Sequence, residues 1–320
     1  MPEWLVYLPK NSGVSLQRVV QLLAILAALV AGTLIAVQSR INGGLGLALG
    51  DGIGAALYSF TSGWILIGLI TLFSKAGRAG VKRIIVLLKT RQLPMWMIFG
   101  GAFGGFFVMT QGLAAGGLGI ALFTVAVVAG QGISGIMIDS RGWLGVKKRR
   151  LNAVRIIGAI TVVVGVAMVS ENPSLDTLAL LTLPFLAGLG LGYQQAANGK
   201  IRISSESAMA ATFLNFAMGS GVLLIAKLLT LPAVGLPTST PSEWWLYIGG
   251  FAGVLFIAIQ VIVVARIGVL GLGVLLGTGQ LIGSLLIDLT FPLPGQVVTV
   301  IHIVGVLVTL AGALMVNLKR

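Results

Sequence analysis

The chain has 320 residues, of which 57% are hydrophobic and only 9% charged, and its formal net charge is +13. A soluble globular domain carries about 25% charged residues, so this chain has too few charges to cover a water-facing surface. It contains no cysteine, which excludes disulfides, thiol chemistry and Cys-ligated metals.

Apolar runs long enough to cross a hydrocarbon core, about 20 helical residues, follow one another along the chain. Val19–Val37 predicts the first membrane helix and is not read as a cleaved signal, since no small-residue cleavage site follows it. Ile53–Phe73 predicts the second, with Asp51 before it as an N-cap type. The basic stretch Lys75–Arg91 comes next, and Val81–Lys89 within it reads as a short interfacial helix on anionic lipid. Spans at roughly 95–115 and 118–139 are joined at Gly116-Gly117, a connection so short that the two must form an antiparallel hairpin. Pro94 is tolerated in the first turn of the earlier one. A fifth span covers roughly 152–170, a sixth roughly 177–197 with a kink expected at Pro184, and a seventh roughly 207–229 behind Ser207 as N-cap. Spans at roughly 243–265 and 268–288 form a second hairpin about Arg266-Ile267, and a tenth covers roughly 297–317. Trp4, Trp96, Trp143, Trp244 and Trp245 fall near span ends, as interfacial aromatics do. No short alternating segments of the transmembrane β-barrel type occur. The expected fold class is an all-α polytopic membrane protein of ten transmembrane helices.

Sorting Lys and Arg by the side on which they fall places 19 of the 21 on the side of both termini, and only Arg40 and Lys227 on the other. By the positive-inside rule both termini are expected in the cytoplasm. The positive balance therefore reports orientation in a cytoplasmic (inner) membrane rather than a nucleic-acid partner.

The sequence also repeats itself. At an offset of 156, Gln38 falls on Gln194, Asn42 on Asn198, Ser59 on Asn215, Phe60 on Phe216 and Gly63 on Gly219, and the N-caps Asp51 and Ser207 coincide. At 149, Gln111 falls on Gln260, Gly130-Gln131 on Gly279-Gln280, and Asp139 on Asp288. Glycine matches arise by chance, but three pairs of glutamines, a pair of asparagines and a pair of aspartates in order do not. The expected organisation is a first repeat at 1–170, a linker at 171–176 and a second repeat at 177–320. Five helices per repeat is an odd number, so the second repeat enters the membrane inverted. The loops agree: Lys75–Arg91 is densely basic, while its counterpart Thr230–Glu243 has no Lys or Arg. Inverted repeats can exchange conformations and so open a central site to each side in turn, which favours a secondary transporter of a small-molecule substrate.

Gln38-Ser-Arg-Ile-Asn42, Gly130-Gln131-x-Ile133 and Ile138-Asp139, followed by a basic loop and a Gly-rich last helix, resemble the YdcZ-like family of bacterial membrane proteins. The resemblance spans nearly the whole chain and implies membership of the drug/metabolite transporter superfamily. Members are five-helix chains, often encoded in pairs, or ten-helix fusions like this one. Ala197-Asn198-Gly199-Lys200 departs from the family's pattern. Small multidrug exporters of the same superfamily use a membrane-embedded glutamate in the first helix. This chain has no acid there or in the equivalent Leu178–Ala197.

The candidate substrate-binding or coupling residues are polar groups within or near spans. Asp139 and Asp288 end the fourth helix of each repeat; they are either coupling groups or helix-end acids held by a nearby cation, with Arg40 available to Asp288. Gln131 and Gln280 lie about two helical turns deeper and need partners, either substrate or a neighbouring helix. Gln38, Gln111, Gln194 and Gln260 lie nearer helix ends and read as interfacial, Asn42 and Asn198 as capping or turn residues. Ser59 and Asn215 sit mid-span as pocket candidates. His302, the only histidine, offers no metal site. The glycine clusters Gly43-Gly44-x-Gly46 and Gly188-x-Gly-x-Gly192 lack a preceding strand or a following Gly-Lys-Ser/Thr, so they read as close helix packing rather than phosphate loops. No catalytic constellation, cofactor motif or metal cluster is expected. A non-transporting scaffold or accessory subunit and a lipid-handling protein remain as alternatives, each with membrane lipid around it.

Overall fold

The structure, a computed structural model, describes residues 13–143, 152–169, 174–237, 240–292 and 297–317. The described residues are almost entirely helical: α1 (Gly13–Leu49), α2 (Gly52–Phe73), α3 (Lys75–Lys89), α4 (Gly100–Thr110), α5 (Gly116–Leu118), α6 (Ile120–Arg141), α7 (Ala153–Val169), α8 (Leu175–Ser205), α9 (Ala208–Val234), α10 (Gly249–Thr290) and α11 (Val300–Asn317). Seven helical stretches are long and apolar enough to cross a membrane, and Ala153–Val169, Gly249–Val263 and Val300–Met315 are shorter apolar helices. Trp4, most of the basic cluster after Arg141 and residues 171–173 of the linker at 171–176 lie outside the described residues.

Local chemistry sets the boundaries. The Asp51 carboxylate accepts from the Gly54 amide at 2.8 Å and starts α2, and the Ser207 hydroxyl accepts from the Ala210 amide at 3.2 Å and starts α9. Gly142 closes α6 in the left-handed region at φ 68°. Gly119, at φ 80°, turns the chain sharply between α5 and α6. Helix α3 is the basic amphipathic segment: Gly77, Gly80 and Ile84 are buried, and Gly80 lies against Ser207 at the foot of α9.

Two helices extend past their expected ends. The first span, expected to stop near residue 39, continues as α1 to Leu49, and the sixth continues as α8 to Ser205, running through Pro184. The first extension carries Asn42 with Gly43, Gly44 and Gly46, and the second carries Asn198, Gly199, Ser204 and Ser205. These residues do not break the helices because their polar and small faces meet other helices instead of lipid.

Helix α10 is not a single rod. A straight helix of 42 residues would be about 63 Å long, yet α10 meets α1 in two opposite registers. Gly249 lies against Asn42 and Gly253 against Gln38, so the first limb runs antiparallel to α1. Gly279 lies against Leu29 and Gly283 against Thr33 and Ala36, so the second limb runs parallel to it. The chain therefore reverses between these limbs and clasps α1. Helix α8 is clasped likewise by α4 and α6: Gly100 lies against Ala197 and Gly104 against Gln194, then Gly130 against Phe185 and Gly192 against Ser134. Helix α2 packs on α9, and α7 on α11. Glycine makes these approaches possible. At Gly112, Gly46 and Gly52 the backbones are so close that a Cβ would strike a neighbouring carbonyl oxygen.

Candidate functional site

The two clasped helices bring their glutamines to one place. Gln38 of α1 and Gln194 of α8 line a cavity of about 10 Å³ enclosed between α1, α2, α4, α8, α9 and α10, enough for about one water. Its walls include Phe60 of α2, Phe107 of α4, Phe216 of α9 and Phe256 of α10. The rings of Phe60 and Phe216 meet with centroids 4.8 Å apart. No ionisable side chain is among the lining residues.

Two buried amide networks flank the cavity. On one side Asn42 Nδ2 donates to Gln111 Oε1 at 2.7 Å, Gln111 Nε2 donates to Ser39 Oγ at 2.9 Å, and Gln38 Nε2 donates to the Gly249 carbonyl at 3.0 Å. The helix that carries Gln111 widens locally into a π-turn over Gln111–Ala115, which aims this side chain across at α1. On the other side Gln194 Nε2 and Asn198 Nδ2 both donate to Asn215 Oδ1, each at 3.0 Å. Several buried polar atoms have no hydrogen-bond partner: Gln38 Oε1, Asn42 Oδ1, Ser59 Oγ, Asn215 Nδ2, Gln260 Oε1 and both amide atoms of Gln280.

These positions correct part of the sequence reading. Gln38, Gln111, Gln194 and Gln260 are not interfacial; they are 1%, 0%, 3% and 4% exposed. Asn42 and Asn198 neither cap nor turn the chain, for both sit inside helices and are buried. Their polar faces meet other helices: Asn42 meets Gln111, Gln38 meets α10, and Gln194 and Asn198 meet Asn215 of α9. Gln280 is fully buried beside Gly32, whereas Gln131 is only half-buried. The side chain of Asp139 lies outside the described part of α6.

Asp288 reaches a neighbouring helix in this arrangement. Its carboxylate accepts from the amides of Ile120 at 3.2 Å and Ala121 at 2.7 Å, and so caps the first turn of α6 from the end of α10. Arg40 lies within electrostatic range of it. Lys227 pairs with Asp51, Nζ to Oδ2, at 2.7 Å, with both side chains buried. The only two cations that sequence sorting assigns to the minority side are thus each matched to a buried acid. His302 engages Thr299 through Nδ1 at 2.7 Å at the start of α11. Among the described residues no three His, Asp or Glu side chains gather as a metal site would require.

Sequence reasoning did not single out the phenylalanine walls, Ser39, or the Asp51–Lys227 pair. One signal for the walls was present. Phe107 and Phe256 stand at the same offset of 149 that relates Gln111 to Gln260, and Phe60 and Phe216 at 156.

Long apolar helices closed around a buried polar centre mark an α-helical integral membrane protein. The family model described as "Putative inner membrane exporter, YdcZ" matches residues 23–168 and again 179–315. The chain belongs to this family and is an inner-membrane protein. A search of the curated proteins finds no match. A solved structure titled only as a crystal structure of a protein is 14% identical over 92% of this chain and 94% of that one, at a TM-score of 0.51. That likeness concerns the fold alone.

Proposed function

We propose that the chain is a secondary transporter that moves a small organic solute across the cytoplasmic membrane by alternating access. In this reading it comprises ten transmembrane helices in two inverted repeats, 1–170 and 177–320, joined by 171–176, with both termini cytoplasmic. One observation carries it: the central cavity is lined by equivalent residues from both halves. Gln38 and Gln194, Phe60 and Phe216, Phe107 and Phe256, and Val108 and Ile257 all line it in pairs. A site on the axis relating two inverted halves is where alternating access places a substrate. The double match of one family model and the two matching helix clasps support the same reading. Within it, the buried amides of Gln38, Asn42, Ser59, Gln111, Gln194, Asn198, Asn215 and Gln260 form the substrate region, and Gln131 and Gln280 lie along the route to it.

The cysteine-free sequence suits the test. Single cysteines at Thr90→Cys and Glu243→Cys are labelled in intact cells by a membrane-impermeant maleimide. Labelling is expected only at Glu243→Cys. The reverse pattern, or equal labelling, would sink the inverted topology. A cysteine in the cavity wall, Val108→Cys, is expected to become reactive from either side during turnover and to be protected by substrate.

One feature favours lipid handling as a second reading. An apolar cavity of about 430 Å³ lies between α6, α7 and α8, lined by residues such as Ala126, Val163, Leu178 and Phe185. Val163 and Leu178 are 54% and 46% exposed on the outer face, where acyl chains lie. Under this reading defined lipids, and not solutes, protect the protein from unfolding.

A further inference from the structure

The orientation of Gln38 restricts what the central cavity can recognise. Its Nε2 donates to the Gly249 carbonyl at 3.0 Å, and a carbonyl oxygen only accepts, so the amide cannot be flipped. Its Oε1 is therefore left as a buried acceptor with no donor. The next turn of α1 repeats this logic. Ser39 Oγ gives its one proton to the Ile35 carbonyl at 2.9 Å, so toward Gln111 it can only accept. Gln111 must then present Nε2 to Ser39 and Oε1 to Asn42. Asn42 donates through Nδ2, and its Oδ1 is left free as well. Gln38 and Asn42 are four residues apart, so both free oxygens lie on one face of α1. Gln260 and Gln280 add two more free carbonyl oxygens, against two free amide donors, Asn215 Nδ2 and Gln280 Nε2. The surroundings are phenyl rings, and no charge lines the cavity.

We propose that this site takes an uncharged molecule with an apolar, ring-sized body and at least one N–H or O–H donor, which engages Gln38 Oε1. This rests on the transporter reading above. The excess of free acceptors calls for a donor. An ionised ligand would enter a dry site with no counter-ion, a cost that neutral amides do not offset. The cavity as it stands holds about one water, so the ligand enters when the halves part. Phe60 and Phe216, now in contact across the centre, would receive its ring between them.

The test uses four probes built on one phenyl ring, on the detergent-purified full chain: benzamide, N,N-dimethylbenzamide, benzoate and benzyltrimethylammonium. Affinity is read from the shift in thermal unfolding, which a ligand of the folded state raises. Benzamide is expected to bind at least about tenfold more tightly than the other three, equivalent to about 1.4 kcal/mol, and to lose its effect in Gln38→Leu. Gln38→Glu keeps the side-chain shape and supplies a counter-ion, so it is expected to shift the preference to benzyltrimethylammonium; it also serves if Gln38→Leu does not fold. Dimethylbenzamide matching benzamide would overturn the donor requirement. A charged probe matching benzamide in the wild type, with an effect that depends on Gln38, would overturn the substrate class and leave the central site standing. If no probe has an effect that depends on Gln38, the inference and the central site both fall.

Discussion

Lys227 Nζ sits 2.7 Å from Asp51 Oδ2, with side chains 9% and 6% exposed, and ties α9 to the first turn of α2. The ammonium also donates to the Gly235 carbonyl at 2.8 Å, while the other carboxylate oxygen caps α2. Removing one partner leaves a buried charge uncompensated, which costs about 3–5 kcal/mol. Lys227→Met alone is expected to lose that much in a reversible unfolding titration. The double variant Asp51→Asn with Lys227→Met is expected to recover most of it, because asparagine still caps the helix. A double variant as unstable as the sum of the two singles would show that the pair is not coupled.

Asn215 and Ser59 stand at the sequence offset of 156 that also relates Gln38 to Gln194, yet their replacement is expected to have opposite consequences. Asn215 Oδ1 receives two buried amide donors, so Asn215→Ala leaves both bare, at about 1–3 kcal/mol each. The Ser59 hydroxyl has no partner, so Ser59→Ala is expected to be neutral or stabilising. Denaturant midpoints of the two variants decide the matter; similar losses would contradict the hydrogen-bond assignment.

Glycine substitutions are expected to sort by what a Cβ would meet. Gly112→Val drives a side chain into the Gly52 backbone and is expected to cost at least about 1–3 kcal/mol or to prevent folding. Gly221 has open space around it, so Gly221→Ala is expected to stabilise α9 by up to about 1 kcal/mol. Melting temperatures and yields in membranes read both, and loss of folding in Gly221→Ala would count against the placement of α9.

Asp288 spends its oxygens on the amides that open α6. Asp288→Asn keeps one acceptor, so it is expected to cost about 1 kcal/mol and to leave the pH dependence of transport unchanged. A displaced pH profile in that variant would instead make Asp288 a coupling group.

The alternation of long apolar runs, the hairpin at Gly116-Gly117 and the two N-caps Asp51 and Ser207 were legible from residue types, because each depends on a local rule. Gln38 and Asn42 were placed at a helix end for a physical reason: a window of hydropathy penalises a helix whose polar face is buried in protein. The lipid-facing side of α1 stays apolar through Leu47, which is 59% exposed, while the opposite side carries Ser39 and Asn42 at 0%. Averaging the two sides makes the helix look finished. The Asp51–Lys227 pair was invisible for another reason, since 176 residues separate its members and only the packing of α2 on α9 brings them together.

The reciprocal clasps have a consequence for how the protein is made. Helix α1 leaves the ribosome with Gln38, Ser39 and Asn42 on its surface, and the first limb of α10 that covers Gln38 follows about 200 residues later. At about 5–20 residues per second, α1 waits in the lipid for roughly 10–40 s with its amides unmatched. During that interval the only amide network available to it is the one through Gln111, on the hairpin inserted before the second half is synthesised. That early network would then act as a placeholder during biogenesis. A nascent chain without Gln111 would be the one most exposed to membrane quality-control proteases, even where the finished protein tolerates the change.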